Sequence, residues 1–199
     1  MKRFFALFIH HWFIYLATLL IGVFAINYSL DLINKPRNEE TITIFIASSE
    51  NGSSTLLREK LNNEKPDYLR EINIFTIKQD SNDFHRFFLI YGADNSDIVI
   101  LPKNKIEDEY VTSYYASFDT HYIEQYISAS EYYKSDVTNK TYGVKIHSIG
   151  EDNNLISYKN NDFDDDYYAF FIKKSKHIGE LNNSEYTTAF TFINVIKNG

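Results

Sequence analysis

The chain has 199 residues, no cysteine and a formal net charge of −7. Without cysteine there is no disulfide framework, no thiol nucleophile, no thiolate metal site and no lipid attachment through an N-terminal Cys. Beyond Ile26 the balance is 18 basic against 27 acidic residues, net −9, which excludes a surface built to hold nucleic acid or an anionic membrane.

The first feature in chain order is Phe4–Ile26, FFALFIHHWFIYLATLLIGVFAI, 23 residues without Asp, Glu, Lys or Arg. At about 1.5 Å per residue it reaches roughly 34 Å, enough to cross a hydrocarbon core of about 30 Å. Lys2 and Arg3 precede it, so the positive-inside bias predicts a cytoplasmic N-terminus and an extracellular remainder. The competing reading is a cleaved signal with Val23-Phe24-Ala25 at its end. Its apolar run exceeds the roughly 7–15 residues usual for a signal, which favours an uncleaved anchor over residues 1–26. His10 and His11 sit inside the run and read as neutral side chains close to the interface. Residues 27–40, polar and carrying Pro36, read as a juxtamembrane linker, leaving 41–199 as one extracellular domain.

TITIFIAS (41–48) alternates β-branched and apolar residues and predicts a strand. A turn follows, with Ser53 or Ser54 as cap for a helix containing TLLREKLNNE, whose stripe is Leu56, Leu57 and Leu61 and which Pro66 ends. REINIFTI (70–77) predicts a second strand. Phe84, Phe87, Phe88 and Tyr91 fall at the i, i+3, i+4, i+7 spacing of a one-faced helix over 81–93. DIVILP (97–102) reads as a strand buried on both faces. Strand–helix–strand–helix–strand predicts crossovers and a mainly parallel sheet. The tyrosine-rich stretch 105–133 reads as broken helix. TYGVKIHSI (141–149) and YYAFFIKK (167–174) predict further strands, and a last helix, capped by Ser184, carries Phe190, Ile193 and Ile196.

Several strings in this order resemble the extracellular solute-binding proteins of ABC importers of the sugar-binding type. They are TITIFIAS, EKLNNEKPDYLREINIFTI, ADNSDIVILP, FDTHYIEQYI, NKTYGVKI and YYAFFIKKSKHIGELNNSEYTTAFTFINVI, which together cover about residues 41–197. The resemblance implies one α/β lobe of the periplasmic-binding-protein kind, with KTYGVKI leaving toward a second lobe and YYAFFIKK returning from it. Two departures stand out. Lys145 takes the place of the family's proline, and only about 20 residues (147–166) separate the outgoing and returning strands, where a whole lobe is expected.

A ligand in an open α/β sheet sits at the carboxyl ends of the strands. That points to Ser48, Ser49 and Glu50, and to Pro102 and Lys103; Tyr142 joins them only by the family resemblance. The bland reading of the serines is a turn and helix cap. DFDDD (162–166) offers oxygen ligands for a hard cation, yet lacks the spacing of a calcium loop and reads as solvated charge. Tyr110, Tyr114, Tyr115, Tyr122, Tyr126, Tyr132 and Tyr133 read as core packing or as an aromatic contact surface. His85, His121, His147 and His177 have no metal-motif spacing, and the sequons at Asn51, Asn139 and Asn182 are what an Asn-rich chain produces by chance. With no phosphate loop, nucleophile elbow or cofactor motif, the chain is expected to be non-catalytic and cofactor-free. The expected function is a membrane-anchored accessory module beside an importer permease or another membrane complex. The alternatives are a true sugar or peptide receptor that completes its cleft with a partner, and a structural cell-envelope protein.

Overall fold

The structure is a computed structural model and describes residues 2–50, 55–127, 131–151, 155–158, 164–178 and 187–198. The chain divides into two compact units, Met1–Arg37 and Asn38–Gly199. The first is the helix α1 (Lys2–Asn34). Its segment Trp12–Asn34 is long and apolar enough to cross a membrane. The side chains of residues 2–11, including His10 and His11, are outside the described set. The helix runs through much of the expected linker. Tyr28, Leu30, Leu32 and Ile33 continue the apolar pattern, no Gly or Pro intervenes before Pro36, and Lys35 N still donates to Asp31 O at 2.9 Å.

The second unit is built on a six-stranded sheet: β1 (Thr41–Ser48), β2 (Glu71–Lys78), β3 (Ile98–Pro102), β4 (Tyr132–Lys134), β5 (Thr141–His147) and β6 (Tyr167–Phe171). Their order across the sheet is β2-β1-β3-β6-β5-β4. β1 pairs in parallel with β2 and β3, whereas β3–β6, β5–β6 and β4–β5 are antiparallel. The expectation of a mainly parallel sheet is corrected to a mixed one. The reason is the late strand β6, which inserts between β3 and β5 running the other way, and β4, which the sequence did not announce.

Two cores follow from strand alternation. On one face Ile42, Ile44, Ile46, Ile98, Ile100, Val144 and Ile146 meet α2 (Thr55–Glu64) through Leu57 and Leu61, and α6 (Thr188–Lys197) through Phe190, Ile193 and Ile196. Leu56, expected on the α2 stripe, points to solvent. On the other face Phe45, Ala47, Val99, Leu101 and Phe170 meet α3 (Phe84–Phe87), the π-helical turns Phe88–Ala93 and α4 (Asp108–Tyr114). The tyrosine-rich stretch, which also holds α5 (Thr120–Ile123), supplies both cores. Tyr115 stacks on Phe170 at 4.6 Å and Tyr126 on Phe190 at 5.4 Å, so these tyrosines pack the domain. Ser53, Ser54 and Ser184, with the sequons at Asn51 and Asn182, lie outside the described residues.

Gly143, the glycine of TYGVKI, has a specific cause. A Cβ there would stand 2.7 Å from Phe170 Cε1 and 3.0 Å from Tyr133 Cβ, so only hydrogen lets these rings cross β5. Asn139, with φ of 57°, makes the turn between β4 and β5, a left-handed position that Asn tolerates.

Candidate functional site

The carboxyl ends of β1 and β3 bring Ser48, Ser49, Glu50, Pro102 and Lys103 to one edge of the sheet. Ser48 and Ser49 are each 1% exposed. The Ser48 hydroxyl donates to the carbonyls of Glu50 and Ile77. Ser49 donates through both its backbone N–H and its Oγ to one acceptor, the carbonyl of Ser157, each at 2.9 Å. Glu50 and Lys103 are exposed, and Lys103 N donates to Asp166 O at 2.8 Å.

Tyr142 does not join them. It sits at the start of β5, level with Ile98 and Ile44 in the pairing register, four residues below Ser48 or roughly 13 Å along the strands. Its ring is buried in the second core and its hydroxyl accepts from Thr138 Oγ1 at 3.2 Å.

What occupies this edge is the chain itself. Leu155, Ile156 and Tyr158 are buried in the first core, with the Ser157 carbonyl held between them by Ser49. Tyr158 stacks on His147 at 4.2 Å and meets Tyr167 edge-on at 4.8 Å; burial raises the pKa of both phenols well beyond the usual range. The acidic run completes the closure. Asp164 accepts from Gly150 N at 2.9 Å, Asp165 from Asn104 N at 3.0 Å and Asp166 from Ile149 N at 3.1 Å. These carboxylates are therefore loop anchors, not a solvated run; Asp162 and Phe163 lie outside the described residues. Among the described residues no three His, Asp or Glu side chains converge as metal ligands.

Lys145, where the resemblance expected proline, points at the same anchor. Its Nζ lies 2.7 Å from Glu131 Oε2 and 3.0 Å from Asp166 Oδ2. Burial works against the ammonium, but hydrogen bonds to the two carboxylates outweigh it and raise its pKa. For Asp166, burial acts to raise the pKa, but the Lys145 and Ile149 hydrogen bonds and the Lys145 charge hold it below the usual carboxylate range.

The opposite edge of the sheet carries a polar cavity of about 260 Å³ lined in part by Thr41, Thr43, Ser96, Asp97, Lys174 and Ser175. Asp97 is its central carboxyl. Asp97 Oδ2 accepts from Thr43 N at 2.7 Å and Oδ1 from Ser175 Oγ at 2.6 Å, while its backbone N donates to Thr43 O and its carbonyl accepts from Ile172 N. Burial raises its pKa against these donors and the nearby His177. With both oxygens accepting, Asp97 acts as a clamp joining β1, β3 and the end of β6. The lysines at the rim are spoken for: Lys176 Nζ is 2.8 Å from Glu39 Oε1, and Lys174 Nζ is 3.8 Å from Asp94 Oδ1.

Sequence reasoning thus located Ser48, Ser49, Glu50 and Lys103 at one edge but missed what covers them. The signal was present in NNLISYKNN (153–161), where Leu155, Ile156 and Tyr158 interrupt a polar run. The fold and these edges define an α/β domain with a mixed open sheet. No family model, no curated protein and no solved structure matches the chain.

Proposed function

We propose that the chain is a membrane-anchored, non-catalytic accessory module, related to one lobe of a solute-binding protein and serving a membrane complex such as an importer permease. Its N-terminal apolar helix would be the anchor, with the N-terminus cytoplasmic and the α/β domain outside. Two features support the single-lobe reading. β5 and β6, the strands expected to leave for and return from a second lobe, pair directly, Gly143 opposite Phe170. Of the 19 residues between them, Leu155, Ile156 and Tyr158 are buried against this same sheet.

The observation that carries the accessory reading is the Ser157 carbonyl on Ser49. A small solute needs most of its surface enclosed, and the edge where the resemblance would put it is already filled. The test is thermal unfolding of the full-length protein in detergent with sugars, amino acids and short peptides. A ligand at a hundred times its Kd stabilises by about 2.7 kcal/mol, a shift of several degrees. We expect no shift with any of them, and cross-linking in intact cells to join the chain to an integral membrane protein. A clear shift with one solute overturns this reading in favour of a true receptor.

A further inference from the structure

β2 is an outer strand of the sheet, and among the described residues no strand pairs with its outer edge, whose uncharged middle lies between Glu71 and Lys78. Gln79 N donates to Ser48 O at 3.0 Å, and Ser48 lies opposite Lys78. By ladder alternation the odd-numbered residues of β2 turn their backbone groups toward β1, while Ile72, Ile74, Thr76 and Lys78 turn theirs outward. Natural edges are blunted by charge, proline or a bulge. Residues 72–77 carry no charge and no proline, and their pairing with β1 has no register break. Beside this edge lies an exposed aromatic cluster. Phe75 is 41% exposed and stacks at 4.9 Å on Tyr91, which stacks at 5.8 Å on Phe87.

We propose that this edge pairs antiparallel with β2 of a second copy of the chain, in the register that sets Phe75 opposite the partner's Phe75. A two-fold axis between antiparallel strands stands perpendicular to the sheet, so like faces meet and Phe75 can oppose only odd-numbered residues. With the axis at Phe75, Ile74 faces the partner's Thr76, and both turn their hydrogen-bonding groups outward. Phe75 then forms a non-hydrogen-bonded pair, the closest kind at about 4.5 Å between Cα atoms, and the two aromatic clusters merge.

Charge selects this register over its neighbours. It sets Arg70 opposite the partner's Asp80 at both ends of the ladder. Both groups are surface-exposed, Arg70 3.5 Å from Glu40 and Asp80 3.0 Å from Lys78. Moving the axis to Ile74 sets Arg70 against the partner's Lys78, two like charges. Moving it to Thr76 sets Ile72 against the partner's Asp80. Of these three registers only the Phe75-centred one pairs opposite charges at its ends, with Ile72 facing the aliphatic stem of the partner's Lys78.

A chain without cysteine makes the test direct, using the full-length protein in detergent. Ile77→Cys should not link to itself on oxidation but should link to Asn73→Cys when the two are mixed, with Phe75 intact. Phe75→Cys should link to itself. Thr76→Pro removes an outward N–H and leaves the β1 ladder whole, so the scattering mass should fall by half with an unchanged far-ultraviolet spectrum. A protein that is monomeric at its highest soluble concentration overturns the proposal. So does self-linkage of Ile77→Cys as ready as that of Phe75→Cys, or a dimer that survives in folded Thr76→Pro. If Thr76→Pro does not fold, the Asn73/Ile77 cysteine pair decides.

Discussion

The two halves of the sheet are held by different means. In the parallel half, β2-β1-β3, aliphatic residues dominate: Ile42, Ile44 and Ile46 on β1 and Ile98, Val99 and Ile100 on β3, all at most 1% exposed. In the antiparallel half, β6-β5-β4, the packing is aromatic. Phe170 is flanked by Tyr115 at 4.6 Å and Tyr133 at 5.6 Å, and Phe171 meets Phe190 edge-on at 4.8 Å. Branched aliphatics fill a pleated surface from many orientations, whereas rings packed across a strand need a gap of the right shape. Gly143 is that gap. The aromatic half should therefore tolerate substitution less well than the aliphatic one.

The strongest way to break this contrast is Phe170→Ala against Ile44→Val. Deleting a fully buried ring should cost about 3–5 kcal/mol, while trimming one methylene from β1 should cost about 0.5–1.5 kcal/mol. Urea midpoints of the full-length variants measure both. Comparable losses would mean that the antiparallel half has no special dependence on its rings.

A sharper probe is Gly143→Ala. The new Cβ would meet Phe170 at 2.7 Å, and Phe170 is 0% exposed with little room to retreat. Overpacking of this kind should cost about 1–3 kcal/mol. Combined with Phe170→Leu the loss should be smaller than the sum of the single changes, because the shorter side chain vacates the clash. Strict additivity would locate the cost in the backbone and not in the ring.

The same contrast explains how much could be read from the sequence. β1, β2 and β3 lie within a residue or so of their predicted positions, because alternation and apolar runs mark strands wherever they pair. Ser48, Ser49 and Lys103 were brought together by a rule about strand ends, which the parallel half obeys. β4 was missed because Tyr132-Tyr133-Lys134 shows no period and is embedded among helix-compatible tyrosines. The direction of β6 was not legible either, since nothing local says from which end of the sheet a strand enters. Tyr142 was assigned through a phrase and not through register, and the register puts it at the other end. The plug at 155–158 escaped notice because its apolar residues are few and its anchors, Asp164, Asp165 and Asp166, look like solvated charge until their backbone donors are known.

The smallest expected effect concerns the pair that ties the antiparallel half to that plug, Lys145 and Asp166. The Asp166 pKa lies below its ordinary value, so its contribution is present above the unfolded value of about 3.9 and is lost as pH falls through the folded pKa. The Lys145 pKa lies above its ordinary value, so its contribution is present below about 10.4 and is lost as pH rises through the folded pKa. Asp166→Asn should therefore be less stable than the parent by about 0.5 kcal/mol after solvent screening across the neutral range. The difference should vanish once Asp166 is protonated on the acid side and shrink again in strong alkali. Urea midpoints of both proteins at acid, neutral and alkaline pH measure this. A difference that persists unchanged into acid would assign the loss to the hydrogen bond from Ile149 N and not to the charge. In that case the plug is held by backbone donors alone, and Lys145 only shields the edge of β5.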